Sequence, residues 1–227
     1  MAGRHSKSGF DRRIGNILLV IFILFTALVR FVDVRPIGPE GSSVGFAGVN
    51  GAAAESLPFN AAWYGAAEGI GYAALLVCAG FALQGLWQLI KGKSLKAVDP
   101  GILALGCLYA VTLALYFIFD HVPINYRPVL MEGVLEPSYP SSHTLLALVV
   151  FISAAVQRQR FSNKRGLSFT GIVCLLLAAL CVASRLLSGV HWLTDIIGAV
   201  LLAVALLEYY MELRDLIARK FSLRREE

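Results

Sequence analysis

Long apolar runs, separated by short polar stretches, organise this chain from end to end. Six of them approach the roughly 20 mostly apolar residues that a helix needs to cross a hydrocarbon layer of about 30 Å. They cover about Ile14 to Phe31, Ala61 to Ile90, Gly101 to Phe119, Ser141 to Val156, Leu167 to Ser184 and Trp192 to Tyr210. The second is longer than a span requires and holds one acid, Glu68. Apolar and polar residues do not alternate with a period of two, so a transmembrane β-barrel has no support. The expectation is an all-α, polytopic membrane helix bundle with six transmembrane helices. It forms a single domain over 1–227, with a basic segment 1–13, the bundle 14–210 and a tail 211–227.

Composition sharpens this. The chain is 57% hydrophobic and 15% charged, with a mean hydropathy of +0.70. Soluble domains run at about 45–50% apolar and about 25% charged. Disorder is excluded, a soluble enzyme is disfavoured, and the 21 Gly have no collagen-like period. The first run follows Arg4, Lys7, Arg12 and Arg13, as a secretory signal would. It ends in Val29-Arg30-Phe31-Val32-Asp33, without a small-x-small cleavage pattern, so it reads as a retained helix. Cys78, Cys107, Cys174 and Cys181 all fall inside apolar runs without Cys-x-x-Cys spacing, and read as small hydrophobes rather than disulfide partners or metal ligands.

The formal net charge of +5 reflects topology. With six helices and a cytoplasmic N-terminus, Arg4, Lys7, Arg12, Arg13, Lys91, Lys93, Lys96, Arg158, Arg160, Lys164, Arg165, Arg214, Arg219, Lys220, Arg224 and Arg225 are all inside. Only Arg30, Arg35, Arg127 and Arg185 fall outside. Positive charge collects in cytoplasmic loops, so both termini are expected in the cytoplasm, and no nucleic-acid footprint is implied. Trp63, Tyr64 and Trp192 at outer ends, and Trp87, Tyr209 and Tyr210 at inner ends, suit interface anchors. The outer segment 34–60 is either a loose loop or a short surface helix. The tail from Tyr209 reads as a polar helical extension.

Candidate chemistry gathers on the outer side, in 120–143 and 184–195. There lie His121, His143 and His191, with Arg127, Arg185, Asp120, Glu132, Glu136 and Asp195. Ionisable groups at a membrane face are costly and point to a site. Arg127-Pro128 alone fits a snorkelling arginine before a turn. Pro137-Ser138-Tyr139-Pro140-Ser141-Ser142-His143 opens a helix, and its free N–H groups suit a phosphate or merely an ordinary cap. His191 and Asp195, four apart, share a helix face. A carboxylate there fixes the imidazole tautomer and leaves the other nitrogen as nucleophile or base, unless the pair only tethers the helix end. Two arginines nearby would oppose a metal cation. Arginine forks match phosphate oxygens, and phosphoryl transfer needs charge stabilisation, a nucleophile and an acid.

These residues resemble the type-2 phosphatidic acid phosphatase superfamily, whose three signatures are Lys-x6-Arg-Pro, Pro-Ser-x-Pro-Ser-Gly-His and Ser-Arg-x5-His-x3-Asp. The second is present as Pro137 to His143 and the third as Ser184-Arg185 through His191 to Asp195. The first survives as Arg127-Pro128. The resemblance implies a nucleophilic His191 that carries a transient phosphohistidine, oriented by Asp195. His143 would protonate the departing oxygen. Arg127, Arg185 and the backbone around Ser141 and Ser142 would hold the phosphate. No cofactor or metal is implied, and the partner is a lipid phosphate or diphosphate in the bilayer. Two positions depart from the pattern: Asp120 stands where the family has lysine, with His121 as a stand-in when protonated, and Ser142 replaces the glycine.

The resemblance implies a metal-independent membrane lipid phosphatase at the outer face, acting on an isoprenyl diphosphate, phosphatidylglycerol phosphate or phosphatidic acid. Its alternatives are a lipid phosphotransferase and a weakly catalytic lipid-phosphate binding or transport protein. A bacterial plasma membrane is the expected location.

Overall fold

The computed structural model describes residues 12–161 and 168–223. Arg4, Lys7, Lys164, Arg165, Arg224, Arg225 and the start of the fifth run at Leu167 lie outside the described residues. The elements are α1 (Arg12–Phe31), α2 (Ala47–Ser56), α3 (Ala61–Gly92), α4 (Pro100–His121), α5 (Ser142–Phe161), α6 (Phe169–Leu187) and α7 (Leu193–Leu223), with two short 3-10 turns. Among the described residues there is no strand, only isolated bridges.

Local signals start the helices where the apolar runs begin. The Asn60 carboxamide accepts from the N–H groups of Ala62 and Trp63, and the Asp99 carboxylate from Gly101 and Ile102 ahead of Pro100 at the first helical position. Ser168 caps α6 through Gly171. The segment 34–60, left open between loop and helix, contains α2. Asn50 pins α2 to α7, its amide donating to Thr194 Oγ1 at 2.9 Å and accepting from the Thr194 N–H at 3.2 Å. The expected helical extension from Tyr209 is present as the continuation of α7 to Leu223. At 1.5 Å per residue, α7 reaches about 46 Å, well beyond a hydrocarbon layer.

Five helices, α1, α3, α4, α6 and α7, are long and apolar enough to cross a membrane. The sixth expected span corresponds to α5, which this criterion of length and hydropathy does not include. It opens with Ser142-His143-Thr144 and ends with Gln157-Arg158-Gln159, and both polar ends have tasks inside the bundle. Gln157, fully buried, donates to Asp99 Oδ1 at 2.8 Å and accepts from the Tyr210 hydroxyl at 3.2 Å, joining α4, α5 and α7.

α5 sits at the centre. One buried cluster joins it to α1, α4 and α7 through Phe22, Leu105, Leu108, Leu145, Val149 and Leu202. A second joins it to α3 and α6 through Ala74, Ala147, Ala154, Ala155, Ala178 and Cys181. The small side chains of the second cluster let helix backbones approach closely, the usual device where lipid supplies no hydrophobic drive between helices. Outward faces stay apolar: Leu24, Leu76 and Phe169 are exposed, as on a surface facing lipid.

Tyr139 ties the signature segment 137–143 into this core. Its ring is buried between Phe22 and Phe119, and its hydroxyl lies 2.8 Å from Thr26 Oγ1. It rests on α7 at Gly198, where a Cβ would stand 2.6 Å from three atoms of the phenol. The Trp192 indole Nε1 donates to the Tyr126 carbonyl at 2.6 Å and brings the Arg127 segment to the same end of the bundle.

Candidate functional site

The antiparallel packing collects at one end of the bundle the start of α3, the end of α4, the start of α5, the end of α6 and the start of α7. There a cavity of about 700 Å³ opens. Its polar wall carries Glu68, Asp120, Arg127, Glu136, Ser142, His143 and His191. Its apolar wall, with Leu75, Tyr109, Leu113, Tyr116 and Leu146, runs between α3, α4 and α5.

Arg185 is fully buried at the end of α6. Its Nη2 donates to His191 Nε2 at 2.8 Å, and its Nη1 to Glu68 Oε1 at 3.2 Å. A guanidinium only donates, so His191 Nε2 carries a lone pair and the ring proton sits on Nδ1. That Nδ1 lies 3.4 Å from Asp195 Oδ2, longer than a formed hydrogen bond. Asp195 Oδ2 is itself held by the Trp192 N–H at 2.9 Å. Burial, reinforced by the cations of Arg185 and Arg127 and by His143, holds the His191 imidazole well below its ordinary value of 6.5. The ring is therefore neutral at neutral pH, and His191 is one of the residues that line the cavity.

His143 Nε2 lies 3.1 Å from the same Glu68 Oε1. A carboxylate accepts, so Nε2 carries a proton. Arg127 forms an ion pair with Glu136 at 3.0 Å, and its buried Nη1 has no hydrogen-bond partner among the described residues. His143 Nδ1 and Arg185 Nε share that condition. Buried polar atoms without partners are uncommon; Arg127 and His143 both line the cavity and Arg185 stands directly behind Glu68, a grouping that suits a ligand site.

His143, His191, Asp195, Arg127, Arg185 and Ser142 are thus brought together. Ser141 stands behind the wall: its N–H donates to the Asp195 carbonyl at 3.2 Å and its hydroxyl to Thr144 Oγ1 at 3.0 Å, which ties the two signature segments to each other. Asp120 reaches the cavity wall. His121, expected as an auxiliary group, does not join the site. Its ring is exposed and its Nδ1 lies 2.8 Å from the Phe117 carbonyl one turn back. Among the described residues, no group of three or more His, Cys, Asp or Glu side chains is placed to hold a metal ion.

Three contributors come from α3, outside the signatures. Glu68 bridges His143 and Arg185, the Tyr64 ring lies 5.5 Å from the Arg185 guanidinium, and Gly71 faces the imidazole of His143. For Glu68 the signal was present in the sequence: one acid inside an apolar run.

The fold is similar to the crystal structure of the first transmembrane PAP2-type phosphatidylglycerolphosphate phosphatase from Bacillus subtilis. That match covers 91% of this chain and 96% of that one, at 16% identity and a TM-score of 0.56. No curated protein matches the sequence. Residues 73–216, well over half the chain, match the family model described as PAP2 superfamily, and the chain belongs to that superfamily.

Proposed function

We propose that this chain is a membrane lipid phosphatase that works through a phosphohistidine at His191. The observation that carries the reading is that His143 and His191 line one cavity, with two arginines beside them and an apolar wall leading away between helices.

The phosphate of a lipid phosphomonoester or diphosphate binds to Arg127, Arg185 and the start of α5 at Ser142, with the lipid chain along Leu75, Tyr109 and Tyr116. Arg185 Nη2 turns from His191 Nε2 to a phosphoryl oxygen, and the freed Nε2 lone pair attacks phosphorus. A P–N bond forms as the bond to the lipid-side oxygen breaks, and the proton of His143 Nε2 passes to the departing oxygen. Water then gives a proton back to His143 and attacks phosphorus. The P–N bond breaks, its electron pair returns to His191, and inorganic phosphate leaves. Asp195 steadies the ring while it carries positive charge.

In this reading α5 is the sixth transmembrane helix, shielded by the others, and both termini are cytoplasmic. The basic residues Lys91, Lys93, Lys96, Arg158, Arg214, Arg219 and Lys220 lie at helix ends opposite the site, which supports an extracytoplasmic site in a bacterial plasma membrane.

Phosphate release from phosphatidylglycerol phosphate, phosphatidic acid and an isoprenyl diphosphate, in detergent with and without a chelator, tests the reading. Release that survives chelation is expected. One feature favours a second reading as a lipid-phosphate binding or transport protein: each arginine already holds a carboxylate, and Asp120 replaces the family lysine. Lipid binding without any release would decide for it. A lipid hydroxyl added as acceptor separates hydrolysis from phosphotransfer by its products.

The pH dependence has a defined sign. His191 must be neutral to attack, and burial with neighbouring cations lowers its proton affinity. The acid limb of kcat/KM therefore lies below pH 6.5, while loss of the His143 proton closes the profile on the alkaline side. A pH series of initial rates checks this, and an acid half-point above 6.5 would exclude His191 as the titrating group.

A further inference from the structure

The proposed reaction leaves the carboxylate of Glu68 without a task. A single oxygen, Oε1, lies 3.1 Å from His143 Nε2 and 3.2 Å from Arg185 Nη1. In the phosphatase reading, those two nitrogens serve the departing oxygen and a phosphoryl oxygen. Arg185 is fully buried and does not itself line the cavity, whereas Glu68 does and keeps 29% of its side chain exposed. Glu68 thus covers Arg185 on the cavity side, with Tyr64 one turn earlier on the same helix. One turn later, Gly71 makes the arrangement possible, since a Cβ there would stand 2.9 Å from His143 Cδ2. All three positions precede residue 73, where the superfamily match begins.

Carboxylate and phosphoryl oxygens compete for the same donors, and two anions cannot share them at 3 Å without mutual repulsion. We propose that Glu68 is a built-in competitor for the substrate phosphate: it holds the anion position in the empty site and gives way when a lipid phosphate enters. The inference rests on the phosphatase reading for the identity of the ligand. The side chain faces the open cavity, so it can swing aside without moving α3. Competition of this kind sets affinity. If the Glu68 contact is formed in nine of ten empty molecules, about a tenth are competent, and removing the contact tightens phosphate binding about tenfold. The same competition helps to expel inorganic phosphate after the second step.

The test is calorimetric binding of inorganic phosphate to the full-length protein in detergent at pH 7. Glu68→Gln is expected to bind phosphate about tenfold more tightly than wild type and to show a lower KM for phosphatidylglycerol phosphate. Glu68→Asp keeps the charge but withdraws the oxygen from both nitrogens. It is expected to shift affinity in the same direction by a smaller factor, and it carries the test if the glutamine variant does not fold. Unchanged or weaker phosphate affinity in the folded variants overturns the proposal, as does phosphate binding to none of the proteins. Lipid turnover by wild type is scored separately. Tighter phosphate binding without turnover removes the phosphatase and keeps the competitor, while turnover with unchanged phosphate affinity does the reverse.

Discussion

His191→Ala is expected to lower phosphate release by about 10⁴-fold or more, the scale seen when a covalent nucleophile and its proton chemistry are removed together. The geometry makes this substitution informative because the surroundings survive it. Asp195 keeps the Trp192 N–H at 2.9 Å, and Arg185 keeps Glu68 at 3.2 Å. The helix end is therefore not dismantled, and thermal unfolding with size-exclusion chromatography should show a folded protein. Initial rates on a phosphorylated lipid measure the loss. Rapid acid-free quenching with radiolabelled substrate should trap labelled protein in wild type and none in the variant. A P–N bond is labile to acid and stable to alkali, which separates it from a phosphoserine at Ser142. Near-normal turnover in His191→Ala would remove the nucleophile from its role, and with it the covalent step.

The parts of this molecule that were legible in the sequence are those written in local pattern. The apolar runs placed α1, α3, α4, α6 and the first half of α7 to within a few residues, because each run must bury or face lipid along its whole length. The candidate site was legible through fixed spacings such as His191 to Asp195, although His191 stands two residues before α7 begins and meets Asp195 from the turn, not from a shared helix face. Features that depend on what lies across the bundle were not. Gln157 and Arg158 looked like the polar end of a helix, and only the position of Asp99 and Tyr210 shows that Gln157 is an internal clasp. His121 sat at the right place in the chain to replace a missing lysine, yet the last turn of α4 points it away from the cavity that Asp120 reaches. Glu68 was visible as an acid in an apolar run, but its partners lie on α5 and α6, more than seventy positions away. Sequence spacing carries no information about such distances. The helical tail was legible as well: nothing along 211–223 breaks a helix, and α7 continues through that stretch.

Arg185→Lys should cost kcat/KM about 10² to 10⁴-fold while leaving the protein folded. Arg185 spends its fork on two directions at once, Nη2 to His191 Nε2 at 2.8 Å and Nη1 to Glu68 Oε1 at 3.2 Å. A lysine ammonium is a point charge on a flexible stem and cannot reproduce both. In the proposed reaction the same fork turns to phosphoryl oxygens, where each hydrogen bond to a charged group is worth about 1.5–3 kcal/mol, and each 1.4 kcal/mol is about a factor of ten. Retaining the positive charge keeps Glu68 compensated, whereas Arg185→Ala would remove charge and shape together and leave a void at a fully buried position, confusing activity with stability. The lysine variant therefore reads geometry and not charge. It also differs in kind from His191→Ala: the nucleophile is intact, so labelled phosphoenzyme should still accumulate, only slowly. Rates over a substrate series, with the quench experiment run in parallel, measure both. A kcat/KM within threefold of wild type would mean that Arg185 serves to seat Glu68 and His191 and does not grip the phosphate in the transition state.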